Sequence, residues 1–105
     1  MFDIESIQAL FSGNAVKYSQ HYWTRRKERN IKHRDVKHAL VSGEIIEETP
    51  GAEPLPGVLI LGYTNEGKPL HVAVGVGDDY ICLITTYYPS LDIWETDYKT
   101  RRAIT

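Results

Sequence analysis

Apolar residues in the first third of the chain recur at the spacing of amphipathic helices. A first helix is predicted over the segment "IESIQALF", whose apolar side chains repeat every three or four positions, and Gly13 ends it. Ser19 is a suitable N-cap for a second helix that runs through Arg29. The pattern therefore predicts two short helices within the first thirty residues.

A third helix is predicted to follow almost at once. Asn30 tolerates the left-handed end of the second helix, and the next helix is predicted to begin at Ile31 and to end before Gly43. Lys32, beside this predicted start, is a poor N-cap. The side chains expected on the buried side are Val36, Ala39 and Leu40.

After Gly43 the pattern changes to extended segments separated by turn residues. Four strands are predicted: a short edge strand "EIIEE", then "VLILGYT", "PLHVAVGVG" and "YICLITTYYP". The segment "TPGAEPLPG" contains three prolines and cannot continue a sheet ladder, whereas "NEGK" and the pair Asp78 and Asp79 are short turns. Short turns between consecutive strands predict an antiparallel meander.

Helices followed by antiparallel strands are typical of the α+β class. We therefore expect a single domain over residues 1–105, with two to three N-terminal helices packed on one face of a four-stranded antiparallel sheet. The opposite face of the sheet is then left to water or to a ligand.

The third predicted strand gives the two faces different compositions. One face carries Leu70, Val72, Val74 and Val76, and the other carries His71, Ala73, Gly75 and Gly77. The alternation places His71 outside the apolar core. Two interpretations of the small residues remain open. They form the floor of a shallow site, or a loop or the C-terminal tail packs closely on them.

Composition agrees with a folded globular chain, because 42% of residues are apolar and 25% are charged. No apolar run approaches the roughly 20 residues that span a bilayer. The N-terminus begins acidic, unlike a signal peptide, so we expect a cytosolic protein without a membrane partner. Cys82 is the only cysteine and is expected to be a buried thiol.

The net charge of −2 conceals a basic block between residues 17 and 37. Only Glu28 and Asp35 oppose its cations, which are Lys17, Arg25, Arg26, Lys27, Arg29, Lys32, Arg34 and Lys37. A local patch matters more to a nucleic acid than the total charge does, so this block keeps a nucleic-acid partner open.

Within this block, His21, Arg25 and Arg29 are spaced four residues apart and therefore share one face of the second helix. Each guanidinium can donate two parallel hydrogen bonds to phosphate oxygens, which suits a phosphodiester. The alternative is an exposed helix whose arginines pair with Glu28 and with the acidic strand at residues 44–48.

Several motifs occur together in a recognisable order: "YSQHYWTRRKERNIKHRDVKHALVSGEIIEE", then "GKPLHVAVGV", then "ITTYYPSLDIW". Over about residues 17–102 the chain closely resembles the bacterial domain-of-unknown-function 4258 family. That family looks related to bacterial toxins of the RelE and BrnT type, small ribonucleases with a RelE- or barnase-like fold. The resemblance also implies an antitoxin partner, for which a zinc-finger protein of the MqsA type is the candidate.

The resemblance implies a set of site residues, which comprises His21, Arg25, Arg29, His71, Thr85 and Tyr87. This chain departs from the family pattern at Tyr88, where an arginine is common, and at Asn30, where glycine is usual. Arg101 or Arg102 could replace the missing arginine if the tail folds back.

These residue types fit metal-free RNA cleavage, in which the 2′-hydroxyl attacks the adjacent phosphate. We expect His71 and His21 to exchange protons, Tyr87 to assist as a donor, and Arg25 and Arg29 to hold the phosphate. No cofactor or metal is expected, because no H-E-x-x-H or Cys-x-x-Cys pattern occurs. His33 and His38 are expected to be solvated.

Two other classes of function remain open. One is a non-catalytic RNA- or protein-binding module that uses the basic helix for docking. The other is an interaction protein whose edge strand "EIIEE" or basic helix binds an antitoxin-like partner and whose catalytic residues have decayed.

Overall fold

The computed structural model describes residues 2–103 and contains the three predicted helices. They are α1, Ile4–Ser12; α2, Gln20–Glu28; and α3, His33–Val41. The hydroxyl of Ser19 caps α2 by accepting from the amide of Tyr22, and Asn30 has the predicted left-handed backbone with φ of 56°. Within residues 2–103, no helix is long and apolar enough to cross a membrane.

The third helix begins two residues later than predicted. Lys32 occupies its N-cap position and makes no side-chain capping bond, as its residue type suggests. Ile31 lies before the helix because its carbonyl accepts a hydrogen bond from the Arg26 guanidinium at 2.8 Å. Its side chain enters the core and is 1% exposed. The predicted inner side of the helix is confirmed, since Val36, Ala39 and Leu40 are all buried.

The five strands form one sheet in the order β1-β5-β4-β3-β2. They are β1, Val16–Tyr18; β2, Glu44–Thr49; β3, Gly57–Tyr63; β4, Pro69–Val76; and β5, Ile81–Tyr87. Strands β2 to β5 make the predicted antiparallel meander, with β2 at the edge.

The sheet is mixed and five-stranded rather than four-stranded and antiparallel. The additional strand β1 pairs parallel to β5, with Val16 opposite Ile81. Three residues are too few to display an alternating pattern, so nothing in the local sequence distinguished this strand from a loop. Where β1 ends, α2 continues along the edge of β5, and Ser19 binds the Leu83 and Ile84 carbonyls.

The helices cover one face of the sheet, which holds the apolar core. Core side chains of the sheet are Val58, Ile60, Leu70, Val72, Val74, Ile81 and Leu83. Helix α3 lies so close to β3 that a Cβ atom on Gly62 would overlap the Ala39 carbonyl oxygen. Asp35 fixes the other end of this contact, because its carboxylate accepts two hydrogen bonds from Asn65 at 3.0 Å.

The second face of the sheet is covered in two places. Residues 50–56, the loop between β2 and β3, bring Leu55 against Gly75. Residues 89–103, here termed the C-terminal segment, bring Trp94 over His71 with ring centroids 4.6 Å apart. The small residues of β4 were expected either to form the floor of a shallow site or to allow a loop or the tail to pack closely. At Gly75, a loop packs closely. His71 lies outside the apolar core, as expected, but the C-terminal segment covers it, and it is 0% exposed.

Replacement of Gly62 by alanine is expected to lower the free energy of unfolding by about 1–3 kcal/mol, because α3 must move away from β3. Urea denaturation measures this change. The matched control is Gly51→Ala, since a Cβ atom at Gly51 would meet open space. An equal effect of both substitutions would show that α3 does not lie directly on β3.

Candidate functional site

His71 connects three parts of the chain through its two ring nitrogens. From β4, its Nε2 lies 2.7 Å from the carbonyl oxygen of Tyr98, and its Nδ1 lies 3.2 Å from the hydroxyl of Tyr87. A carbonyl oxygen only accepts, so Nε2 carries the proton, and Nδ1 accepts from the tyrosine hydroxyl. Both nitrogens of the ring are therefore engaged.

Burial determines the protonation of this pair. Burial lowers the pKa of His71, although the hydrogen bond to the Tyr98 carbonyl opposes the shift, so the imidazole is neutral at neutral pH. Burial also raises the pKa of Tyr87, and the Glu47 carboxylate acts in the same direction, while Arg101 and Arg29 both act to lower it. The Tyr87 hydroxyl thus keeps its proton and lies within the field of two guanidinium groups.

Arg29 reaches this position from the C-terminal end of α2. Its Nη1 donates to the Thr86 carbonyl at 2.9 Å and lies 3.3 Å from the hydroxyl of Thr85. In the β4 and β5 register, Tyr87 lies opposite His71 and Thr85 lies opposite Ala73. Thr85 and Tyr87 therefore share the second face with His71, and Arg29 is brought to the same place.

The C-terminal segment folds back and contributes Arg101. Its guanidinium makes two hydrogen bonds to the Glu47 carboxylate, at 2.7 and 3.0 Å, and lies over the Trp94 ring at 4.6 Å from the centroid. Arg102 points elsewhere, to the Leu91 carbonyl and to Glu95. Of the two arginines considered for this role, only Arg101 acts on the Tyr87 hydroxyl.

These residues form one assembly, which we term the polar cluster. Its members are Arg29, His71, Thr85, Tyr87 and Arg101. His71 is enclosed beneath the others, whereas both arginines are exposed and Thr85 and Tyr87 are half-buried. The cluster therefore presents two cations and two hydroxyl groups toward solvent, with a neutral imidazole behind them.

His21 and Arg25 are not part of the polar cluster. Arg25 pairs with Glu28 at 2.8 Å, as the alternative interpretation of the helix predicted. His21 is exposed at the start of α2, about 12 Å along the helix axis from Arg29. Both ring nitrogens of His71 are bonded to Tyr87 and Tyr98. His71 therefore has no free nitrogen for the direct proton exchange with His21 that was expected.

The acidic strand β2 pairs with different cations from those expected. Glu47 binds Arg101, and Glu44 binds Lys99 at 3.1 Å, so both partners come from the C-terminal segment rather than from α2. These exposed pairs hold the segment across the second face of the sheet. Tyr98, Trp94 and Glu47 were not predicted as site residues. The two aromatic residues of the tail were the available signal for Trp94 and Tyr98.

The expectation that His33 is solvated was also wrong. Its Nδ1 lies 2.8 Å from the Tyr22 hydroxyl, and its ring packs against Tyr18 and Trp23. Burial lowers the pKa of His33, with Arg26 acting in the same direction. This aromatic group lies where β1, α2 and α3 meet and stabilises their junction.

The chain from residue 2 to residue 103 holds no group of three or more histidine, cysteine or acidic side chains placed to bind a metal ion. Cys82 is a free thiol and is half-buried rather than enclosed in the core. Burial raises its pKa, although Lys17 acts to lower it.

Acid is expected to destabilise the protein because the folded state resists protonation of His71. In the unfolded chain, histidines take up protons below about pH 6.5, so stability falls as the pH is lowered from about 7.5 to about 5. His33 contributes with the same sign. Denaturant unfolding at several pH values should show a smaller loss for His71→Gln than for the native chain.

The exposed His21 provides the matched control for this measurement, and His21→Gln should keep the full loss of stability on acidification. Equal sensitivity to acid in the His71→Gln variant and the native chain would contradict the enclosed, neutral imidazole.

The chain is similar in sequence to one described protein family. No curated protein and no solved structure matches the chain significantly. The model of the family described as Domain of unknown function (DUF4258) matches residues 18–88, which is more than half of the chain. This stretch contains α2, α3 and strands β2 to β5, and hence every member of the polar cluster except Arg101. The chain belongs to the DUF4258 family.

Proposed function

We propose that this protein is a metal-independent endoribonuclease of the toxin type, related to RelE and BrnT, and that it holds an RNA phosphate at the polar cluster. The observation that carries the proposal is the convergence of two guanidinium groups near the Tyr87 side chain. Arg29 donates to the two residues before Tyr87, and Arg101 lies over the Trp94 ring that packs on His71. Two guanidinium groups beside a protonated hydroxyl are suited to a phosphate that gains charge in the transition state.

In the proposed reaction, the 2′-hydroxyl attacks the adjacent phosphorus, and the bond from phosphorus to the 5′-oxygen breaks. Tyr87 gives its proton to the leaving 5′-oxygen, while Arg29 and Arg101 stabilise the phosphate and the resulting phenolate. His71 orients the Tyr87 hydroxyl from behind and is a positioning residue. His21, the base expected from the sequence, lies about 12 Å along the helix axis from Arg29, so the proton of the 2′-hydroxyl passes to a water molecule in this reaction.

A second candidate function is a non-catalytic RNA- or protein-binding module. The observation that favours it is the burial of His71, whose two nitrogens are bonded within the protein. In this function the arginines of the polar cluster bind phosphate or an acidic partner, and no bond is broken. The module binds RNA without turnover.

The proposal includes a cytosolic location and an antitoxin partner, for which a zinc-finger protein of the MqsA type is the candidate. Exposed apolar side chains immediately after β5 support a protein partner near the polar cluster. These side chains are Tyr88, Leu91 and Ile93. A partner bound there would also cover the approach to Tyr87.

Removal of the Arg29 charge is expected to weaken RNA binding and its dependence on salt. For single-stranded RNA, each lost phosphate contact flattens the slope of log K against log salt by about 0.7. Fluorescence anisotropy of a labelled RNA with Arg29→Gln measures this slope. The control is Arg34→Gln, which removes an exposed charge from α3 outside the polar cluster; equal flattening in both variants would remove Arg29 from the phosphate site.

Loss of the Tyr87 hydroxyl is expected to lower RNA cleavage by about 10²-fold or more, because the proton donor is absent, while RNA binding persists. Gel analysis of cleavage by Tyr87→Phe and by the control Tyr88→Phe, which alters an exposed neighbour, measures the effect.

Induced expression in a bacterial host separates the two candidate functions. Growth arrest that Tyr87→Phe relieves and Tyr88→Phe retains supports the endoribonuclease. RNA binding without arrest and without cleavage supports the binding module instead.

A further inference from the structure

The second face of the sheet contains a cavity of about 460 Å³ beside the polar cluster. Its floor is the sheet itself, and its wall is the loop between β2 and β3. Ala73, which lines the cavity, lies opposite Thr85 in the strand register, so the cavity and the polar cluster are neighbours. Cavities of this volume hold small organic molecules.

Small residues create this space. Ala73 and Gly75 follow His71 at alternate positions of β4 and therefore lie on the same face of the strand. Ala73 has only a methyl side chain, and Gly75 has no side chain. A Cβ atom on Gly75 would approach the side chains of Leu55 and Ile84 to 3.2 and 3.4 Å. Because Gly75 has no side chain, Leu55 can pack against β4 at one end of the cavity. The small side chain of Ala73 leaves the other end unfilled.

The walls of the cavity are apolar and its charged side chains are acidic. Its aliphatic lining includes Leu55, Leu59 and Ile84. The two carboxylates that line it are Glu47, which Arg101 already neutralises, and the exposed Glu53. Among residues 2–103, no lysine or arginine lines the cavity. A ligand with an apolar body and a positive charge therefore complements it, whereas an anion does not.

We propose that this cavity binds a small amphipathic amine, with the apolar body against the sheet and the ammonium group at Glu53. The proposal does not depend on RNA binding or cleavage, since no residue of the polar cluster lines the cavity. The cavity is a second site on the same face.

Cys82 provides a site-specific readout because it lines the cavity and is the only cysteine. The probes are 2-(2-naphthyl)ethylamine and 2-naphthylacetate, which share an apolar body and carry opposite charges. Mass spectrometry follows alkylation of Cys82 by iodoacetamide in the full chain. At ten times its Kd, the amine is expected to slow alkylation by about tenfold by mass action.

Three variants test where the amine binds. Ala73→Leu fills the cavity from its floor and is expected to abolish protection of Cys82. Glu53→Gln, on an exposed loop that can tolerate the change, is expected to raise the Kd for the amine by about two- to fivefold. The matched control Glu66→Gln removes an exposed carboxylate that does not line the cavity, and should leave the Kd unchanged.

Comparison of the amine with naphthylacetate tests whether the positive charge of the ligand contributes to binding. The proposal stands if the amine protects Cys82, the acetate binds at least about threefold more weakly, and Glu53→Gln reduces the difference. It is overturned if the amine gives no protection, if both probes protect equally, or if Glu53→Gln and Glu66→Gln behave alike. An unchanged urea unfolding midpoint in each variant shows that such a failure concerns the cavity and not the fold.

Discussion

The imidazole of His71 holds β4, β5 and the C-terminal segment together through two hydrogen bonds. Its Nε2–H group donates to the Tyr98 carbonyl, and its Nδ1 accepts from the Tyr87 hydroxyl, while the Trp94 ring packs over the imidazole. A buried imidazole without these partners would cost the free energy of an unsatisfied polar group. The position of the C-terminal segment, and with it the position of Arg101, therefore depends on this residue.

The same enclosure decides which groups a substrate can meet. His71 cannot touch an RNA directly in this arrangement. The accessible part of the polar cluster consists of Arg29, Thr85, Tyr87 and Arg101. This shifts the proposed chemistry from a pair of histidines to a tyrosine between two guanidinium groups. It also gives the non-catalytic binding module a specific physical basis, since the best acid and base in the sequence is withdrawn from solvent.

Local patterns were sufficient where a residue's neighbours along the chain determine its structure. Ser19 and Asn30 marked the ends of α2, and the short turns gave the meander, because caps and turns depend on a few adjacent residues. Strand alternation put Thr85 and Tyr87 on one face of β5, but only the register with β4 places that face beside His71. The three-residue β1 was missed because it exists only through its parallel partner β5.

The sequence by itself determined the α+β class, the amphipathic helices, the alternation of β4 and the residue types available for a phosphate site. Only the tertiary structure decided that Trp94 and Tyr98 enclose His71, that Arg101 lies over Trp94 near Tyr87, and that His21 stands apart. The physical reason is that these contacts join residues distant in the chain. Their energies depend on which surfaces meet, and spacing along the chain does not encode this.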